Sequence, residues 1–267
     1  MPGSKRYSFA LTAMDLLQFG TIQAVAKYLQ VGWDMVKEIH KSRLQTRYRV
    51  PRLKDLAYLG IDEFSIRKGH TYMTIFVDRR KGRILSAVEG RSAADITPFL
   101  KKIARQAPRL KAVAIDMSHS YRKAVQEHLP SVDIVYDHYH ISAIINRAIV
   151  DLRRQEHHHA ENEQKQVMQG SRFLLLRNYE TLGADSQERL QSLLEVNQPL
   201  LTMYTMKEQL RAFWKLPNRK DASSFLYTWC FDAMDSGVKK LVKIGLTLTR
   251  YRNGILNYFS HPITNAS

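Results

Sequence analysis

Three short apolar runs in this chain each end on an aspartate. Leu59-Gly-Ile-Asp-Glu-Phe64 carries Asp62, Lys111-Ala-Val-Ala-Ile-Asp-Met-Ser118 carries Asp116, and Val132-Asp-Ile-Val-Tyr-Asp137 carries Asp137. An ionised carboxylate at the end of a buried strand is costly unless a cation or hydrogen-bond donors meet it. Three such endings suggest a shared partner, and a divalent metal ion is the first candidate. Ordinary strand-end or capping carboxylates without a metal fit the same pattern.

The surrounding segments predict an α/β region. Tyr58 to Ser65, Tyr72 to Asp78 and Arg83 to Glu89 read as strands of a meander, separated by the Gly-containing turns Arg67-Lys-Gly-His70 and Arg79-Arg-Lys-Gly82. Ser92-Ala-Ala-Asp95 opens a helix as a capping box. Its apolar face is Ile96, Phe99, Leu100 and Ile103, and Pro98 stands close to its start, where a missing N–H costs least. A second helix, from about Tyr121 to Leu129, separates the Asp116 and Asp137 strands. Helices between strands imply parallel crossovers within one sheet.

Ahead of this region, Thr12 to Phe19 and Thr21 to Leu29 read as short helices. The turn Gln30-Val31-Gly32 leads to a basic helix from Trp33 to Arg43. Two helices joined by a Gly-containing turn fit a helix-turn-helix. In that reading Asp34, Lys37 and Glu38 face base edges, while Lys41, Arg43 and Arg47 take phosphates. A helical hairpin packed on the main domain fits equally well. Ser42 to Lys54, rich in Arg and broken by Pro51, reads as a basic linker.

The net charge of +16, from 41 Lys and Arg against 25 Asp and Glu, points to a polyanionic partner, with nucleic acid first. A lone cysteine, Cys230, excludes a disulfide framework or a cysteine-based zinc site, and fits a reducing compartment. No apolar run approaches the roughly 18 residues that span a bilayer, so the expected setting is cytoplasmic, with no membrane partner. Magnesium takes one or two carboxylates with waters and substrate phosphates. A pair of such ions clamps the attacking and leaving oxygens of phosphodiester transfer. A basic protein with a sheet-borne aspartate pair therefore reads as a metal-dependent nuclease or polynucleotidyl transferase.

Longer motifs sharpen this. Gly60-Ile-Asp-Glu-Phe-Ser-Ile-Arg-Lys-Gly-His70, Thr74-Ile-Phe-Val-Asp78, Ile115-Asp-Met-Ser118 with Tyr121, Asp137-His-Tyr-His-Ile141 and Ser171-Arg-Phe-Leu-Leu-Leu-Arg177 stand in this order. Together they resemble the DDE-type transposases of bacterial insertion sequences, in the ISL-three family, over residues 8–267. The resemblance implies a ribonuclease-H-like mixed sheet with a long helical insertion, preceded by a small helix-turn-helix. Its domains are a DNA-binding region at 1–50, part of the catalytic core at 51–140, and the insertion at 141–267. It implies that Asp62 and Asp116, on neighbouring first and fourth strands, are the first two acids of a triad holding Mg²⁺ or Mn²⁺. Asp137 and His140 become active-site neighbours, and Glu63, alternating with Asp62, points away. Lys37, Lys41, Arg43 and Arg47 become DNA contacts.

The implied activity is cleavage and strand transfer at element ends on double-stranded DNA, in a nucleoid-associated protein acting as a homo-oligomer. Relatives carry the third acid, a glutamate, just beyond a stretch resembling Tyr258-Phe-Ser-His-Pro-Ile-Thr-Asn-Ala266, and commonly begin with a cysteine-rich zinc segment. A chain without either is expected to be truncated at both ends and to cleave poorly. The alternative is a non-catalytic DNA-binding fragment that dampens a full-length transposase. An ordinary repressor would leave the aspartates unexplained.

From Ile141 onward the pattern is helical: His140 to Gln169, then apolar periodicity in Leu190 to Val196, Leu200 to Trp214 and Ala222 to Tyr258. Loops are expected at 183–186 and 216–219. His157, His158 and His159 point about 100° apart on a helix, which disfavours a shared metal. Trp214, Trp229, Phe225, Phe231 and Tyr258 are expected in the core.

Overall fold

The computed structural model describes residues 3–47, 52–67 and 71–265. Their internal contacts divide the chain into two compact units that part between Arg52 and Leu53.

The first unit is three helices, α1 (Gly3–Leu16), α2 (Ile22–Tyr28) and α3 (Trp33–Arg47). Its small core is Val25, Ala26 and Val36, with Leu16, Leu17, Ile22, Leu29 and Val31 packed around it. Thr21 caps α2, its hydroxyl accepting from the Ala24 N–H at 3.2 Å. The turn after α2 pivots on Gln30, not on Gly32. Gln30 adopts φ 55°, while the Val31 N–H bonds the Ala26 carbonyl and the Gln30 N–H bonds the Lys27 carbonyl. That is a Schellman closure with glutamine in the usual glycine position. α1 begins nine residues earlier than periodicity alone indicates. α3 runs through Arg47, so the first part of the expected linker is helical; residues 48–51, the next part, lie outside the described residues.

The second unit is built on a five-stranded sheet in the order β3-β2-β1-β4-β5. The strands are β1 (Tyr58–Arg67), β2 (Thr71–Asp78), β3 (Arg83–Glu89), β4 (Ala112–Ile115) and β5 (Asp133–Tyr136). β1, β2 and β3 form the expected antiparallel meander, while β4 and β5 add in parallel. Every residue of β4 is buried, as a central strand covered on both faces requires. Between the parallel strands run α4 (Ala93–Gln106) and α5 (His119–His128). Ser92 and Asp95 form the complete capping box of α4. Phe99 of α4 packs on Phe76 of β2 with ring centroids 4.5 Å apart.

Seven helices follow: α6 (His138–His159), α7 (Asn162–Met168), α8 (Arg172–Leu176), α9 (Ala184–Glu195), α10 (Gln198–Phe213), α11 (Arg219–Asp235) and α12 (Lys239–Leu256). They share one hydrophobic core with the sheet, continuous from Leu53 to Leu256. Several expected bounds shift. The 183–186 loop is the start of α9, and the stretch from Ala222 to Tyr258 breaks at Gly237, whose φ of +69° suits a residue without a Cβ. Trp229 is buried and donates from its indole nitrogen to the Met206 carbonyl at 3.0 Å. Trp214, Phe225 and Tyr258 join an aromatic cluster around Phe213 and Phe259. Phe231 is the exception among the expected core aromatics, at 57% exposure, because one residue step from buried Cys230 turns it about 100° outward.

Buried Lys207 of α10 ties two distant segments. Its ammonium donates to the Leu175 and Arg177 carbonyls at 3.0 and 2.8 Å and pairs with Glu208 at 2.9 Å. These carbonyls stand at the C-terminal end of α8, where helix carbonyls lack partners of their own.

α12 lies across the outer edge of β5. Gly254 allows this approach, because a Cβ there would stand 2.5 Å from Tyr136 Cδ2 and 3.1 Å from the Ile134 carbonyl oxygen. The Asn257 amide then donates to that same carbonyl at 2.9 Å, filling with a side chain the place of a further strand.

Candidate active site

β1 is longer than β4, and the difference creates the site. Their ladder ends at the pair Gly60–Ala114. Continuing that register by two residues sets Asp62 beside Asp116, which follows β4 directly. Asp62 is thus mid-strand in β1, not at its end, but it stands where the neighbouring strand has stopped. Its carboxylate accepts from the Glu63 N–H at 2.8 Å. Asp116 Oδ1 accepts from His140 Nε2 at 2.8 Å and from the Asn265 amide at 2.5 Å.

Asp137 has a local task as well. It is the N-cap of α6, accepting from the Tyr139 N–H at 2.9 Å, and it is 1% exposed. The cap fixes the first turn of α6, and His140 on that turn reaches Asp116. Three aspartates and one histidine therefore share a field. The Asp62 carboxyl is pushed up, chiefly by burial and further by Asp116 and Asp137. The Glu63 N–H and His140 pull it back down. His140 is pushed up, chiefly by its hydrogen bond to Asp116, with Asp137 and Asp62 adding to the effect and burial opposing it. The cluster holds more negative charge than its own protein partners neutralise.

Glu63 faces the opposite side of β1, as strand alternation requires. It accepts from the Tyr121 hydroxyl at 3.2 Å and lies 3.9 Å from Arg91. The same hydroxyl lies 2.9 Å from Thr74 Oγ1, which donates to the Gly90 carbonyl at 2.7 Å. Tyr121, Thr74 and Glu63 thus bind the start of α5 to β1 and β2 behind the Asp62–Asp116 pair.

The basic residues of α3 belong to the other unit. Lys37 lies 4.8 Å over the Trp33 ring and Lys41 lies 3.6 Å from Glu38. Arg43 borders a largely apolar cleft of about 700 Å³ with Leu11, Met14 and Met35. Arg47 is the last residue of α3. His157, His158 and His159 form the final turn of α6, and among the described residues no three His, Cys, Asp or Glu side chains gather in a metal-holding group.

Asn265 is the site residue that sequence reading missed. It lies in a quoted motif stretch, but nothing local marks it as a partner of Asp116, 149 positions earlier.

The mixed sheet of this basic chain thus brings the part-buried Asp62 and Asp116 carboxylates into one electrostatic cluster with His140. Residues 59–267 match a family model described as Transposase, that of the ISL3 transposases, and the chain belongs to this family. It is 34% identical over 261 residues to the transposase for insertion sequence element IS1001 of Bordetella parapertussis, covering 96% of this chain and 64% of that one. It is 23% identical over 283 residues to the transposase for IS1557 of Mycobacterium tuberculosis, covering 97% of this chain and 64% of that one. The chain thus spans somewhat under two thirds of the length of these curated relatives. No described helix is long and apolar enough to cross a membrane.

Proposed function

We propose that residues 53–265 form the sheet-borne part of a ribonuclease-H-like DDE site. In it Asp62 and Asp116 hold Mg²⁺ or Mn²⁺ for phosphodiester cleavage and strand transfer at insertion-sequence ends. The observation that carries this is the placement of the two carboxylates on adjacent parallel strands just beyond the end of their ladder, with His140 on one of them. The donors suit the ion. Magnesium is satisfied by one or two protein carboxylates, with water and substrate phosphate completing its shell. The charge crowding that pushes the Asp62 carboxyl up is what a divalent cation relieves.

When bound, such ions activate an attacking oxygen and stabilise the departing 3′ oxygen. The chain's own residues do the rest. Asp62 and Asp116 would hold the cation, and His140 orients Asp116 through Oδ1. Asp137 holds His140 in place through the first turn of α6.

The helices α2 and α3 act in this proposal as a helix-turn-helix that brings double-stranded DNA to the site, with Lys37, Lys41, Arg43 and Arg47 supplying positive charge. The reaction on paired ends, the target DNA and assembly as a homo-oligomer are proposed for the whole protein.

The test is Mn²⁺ titration of the 267-residue protein by calorimetry, with Asp62→Asn and Asp116→Asn beside it. Binding lost in both variants is expected. Binding unchanged in both would refute the assignment. In parallel, Lys37→Ala with Lys41→Ala is expected to weaken duplex binding and flatten its salt dependence, while Asp62→Asn leaves DNA affinity intact.

A further inference from the structure

We infer that Asn265 is a positioning residue for the carboxylate pair, and that the segment it ends is a strap that orders the site. The inference rests on the reading of Asp62 and Asp116 as cation holders.

The segment is anchored along its length. After α12, Asn257 donates to the Ile134 carbonyl. His261 Nε2 lies 3.0 Å from Asp133 Oδ2, and its ring is 5.8 Å from that of Tyr58. Tyr58 and Asp133 open their strands, so the strap starts at the beginning of β1 and β5. It finishes partway along β1, beside Ile61. There the Asn265 amide donates to the Ile61 carbonyl at 3.1 Å and to Asp116 Oδ1 at 2.5 Å. One NH₂ group thus joins β1 to Asp116 at the point where the ladder between β1 and β4 has run out. Backbone hydrogen bonds no longer hold the two aspartates in register there, and Asn265 does so in their place.

Burial and orientation support the assignment. Asn265 is 2% exposed. Its Oδ1 is buried without a hydrogen-bond partner, an arrangement that calls for a specific reason. The reverse orientation of the amide would set an acceptor against the Ile61 carbonyl and the Asp116 carboxylate. The site therefore fixes which way the amide points, and the fold tolerates an idle acceptor to keep both donations. Such hydrogen bonds to a metal-holding carboxylate set its angle, and their loss commonly weakens metal affinity ten- to a hundred-fold.

The experiment compares wild type with Asn265→Leu, which keeps the bulk but loses the donor, and Asn265→Ala as a second variant. The first readout is hydrogen exchange of metal-free protein in peptides covering 116–121, the loop that carries Asp116 and the first turn of α5. Faster exchange there in both variants, with the midpoint of global unfolding nearly unchanged, is expected. The second is Mn²⁺ affinity, expected to weaken about ten-fold in both. Unchanged loop exchange together with unchanged Mn²⁺ affinity would overturn the inference. So would tighter Mn²⁺ binding, which would make the amide a blocker of the Asp116 oxygen. If wild type itself binds no Mn²⁺, the proposed metal role falls on its own, and loop exchange alone then decides whether Asn265 positions Asp116.

Discussion

Replacing Gly254 with alanine tests how tightly α12 is seated on the sheet. Alanine is the better helix former by about 1 kcal/mol, so an unconstrained site would gain stability. Here the new methyl would stand 2.5 Å from Tyr136 Cδ2, where carbon atoms settle at about 3.5–4.0 Å. Ring or helix must retreat by about 1 Å to restore that contact distance. The ring has little room, since Tyr136 is 3% exposed and packs edge-on against Tyr251 at 5.1 Å. Overpacking of this kind costs about 1–3 kcal/mol. A retreat of α12 also strains the Asn257 bond to Ile134, a contribution of about 1 kcal/mol. Set against the helix gain, the net expectation is a loss of about 1–3 kcal/mol. Urea unfolding followed through Trp214 and Trp229 fluorescence measures it, with an unchanged slope marking a true change in stability. A variant as stable as wild type, or more so, would show that α12 is not closely seated on β5.

Lys207→Met would strand the Leu175 carbonyl, leave the Arg177 carbonyl only its 3.3 Å bond from the Tyr204 hydroxyl, and leave Glu208 with Arg211 alone of its two cations; a loss of about 1–3 kcal/mol in urea unfolding is expected. Alkaline pH should destabilise the second unit. The Tyr121 and Tyr136 hydroxyls, both pushed up by burial to about 12 from 10.0, stay protonated when folded while the unfolded chain ionises first. Their contribution is complete below pH 10 and disappears as pH rises toward about 12. Unfolding midpoints between those values should fall less steeply in the Tyr121→Phe, Tyr136→Phe double variant than in wild type. Asp62→Asn keeps an acceptor for the Glu63 N–H and removes a carboxylate that burial and Asp116 disfavour. Its melting temperature in EDTA should therefore rise, and an equal or lower value would contradict the proposed charge crowding.

Features written in local chemistry were legible in the sequence. The meander from Tyr58 to Glu89 follows from alternation and Gly-marked turns, and the Ser92–Asp95 capping box was readable from four residues. The pairing of Asp62 with Asp116 came from the resemblance, and the β1–β4 adjacency supplies its physical basis. What stayed hidden depends on tertiary paths. Asp137 reads as a third strand-end acid, but only the α6 start reveals it as a cap. Gln30 gives no sign that it occupies a left-handed position usually left to glycine, because the Schellman bonds around it impose the strain. Phe231 looks like its buried neighbours because α11 carries large apolar residues on more than one side. Asn265 meets Ile61 across 204 positions, and no local pattern encodes such a contact.

That last separation also sets an order in time. The chain emerges N-terminus first, and synthesis proceeds at about 5–20 residues per second. Asp62, Asp116, Asp137 and His140 all exist when residue 140 has been made, whereas Asn265 follows only after a further interval of about 6–25 s at that rate. During this time α6 to α12 are still being built and the sheet has no strap. A newborn chain therefore carries its acids well before it can fix them in register, and the carboxylate cluster waits for residue 265 to reach its final form.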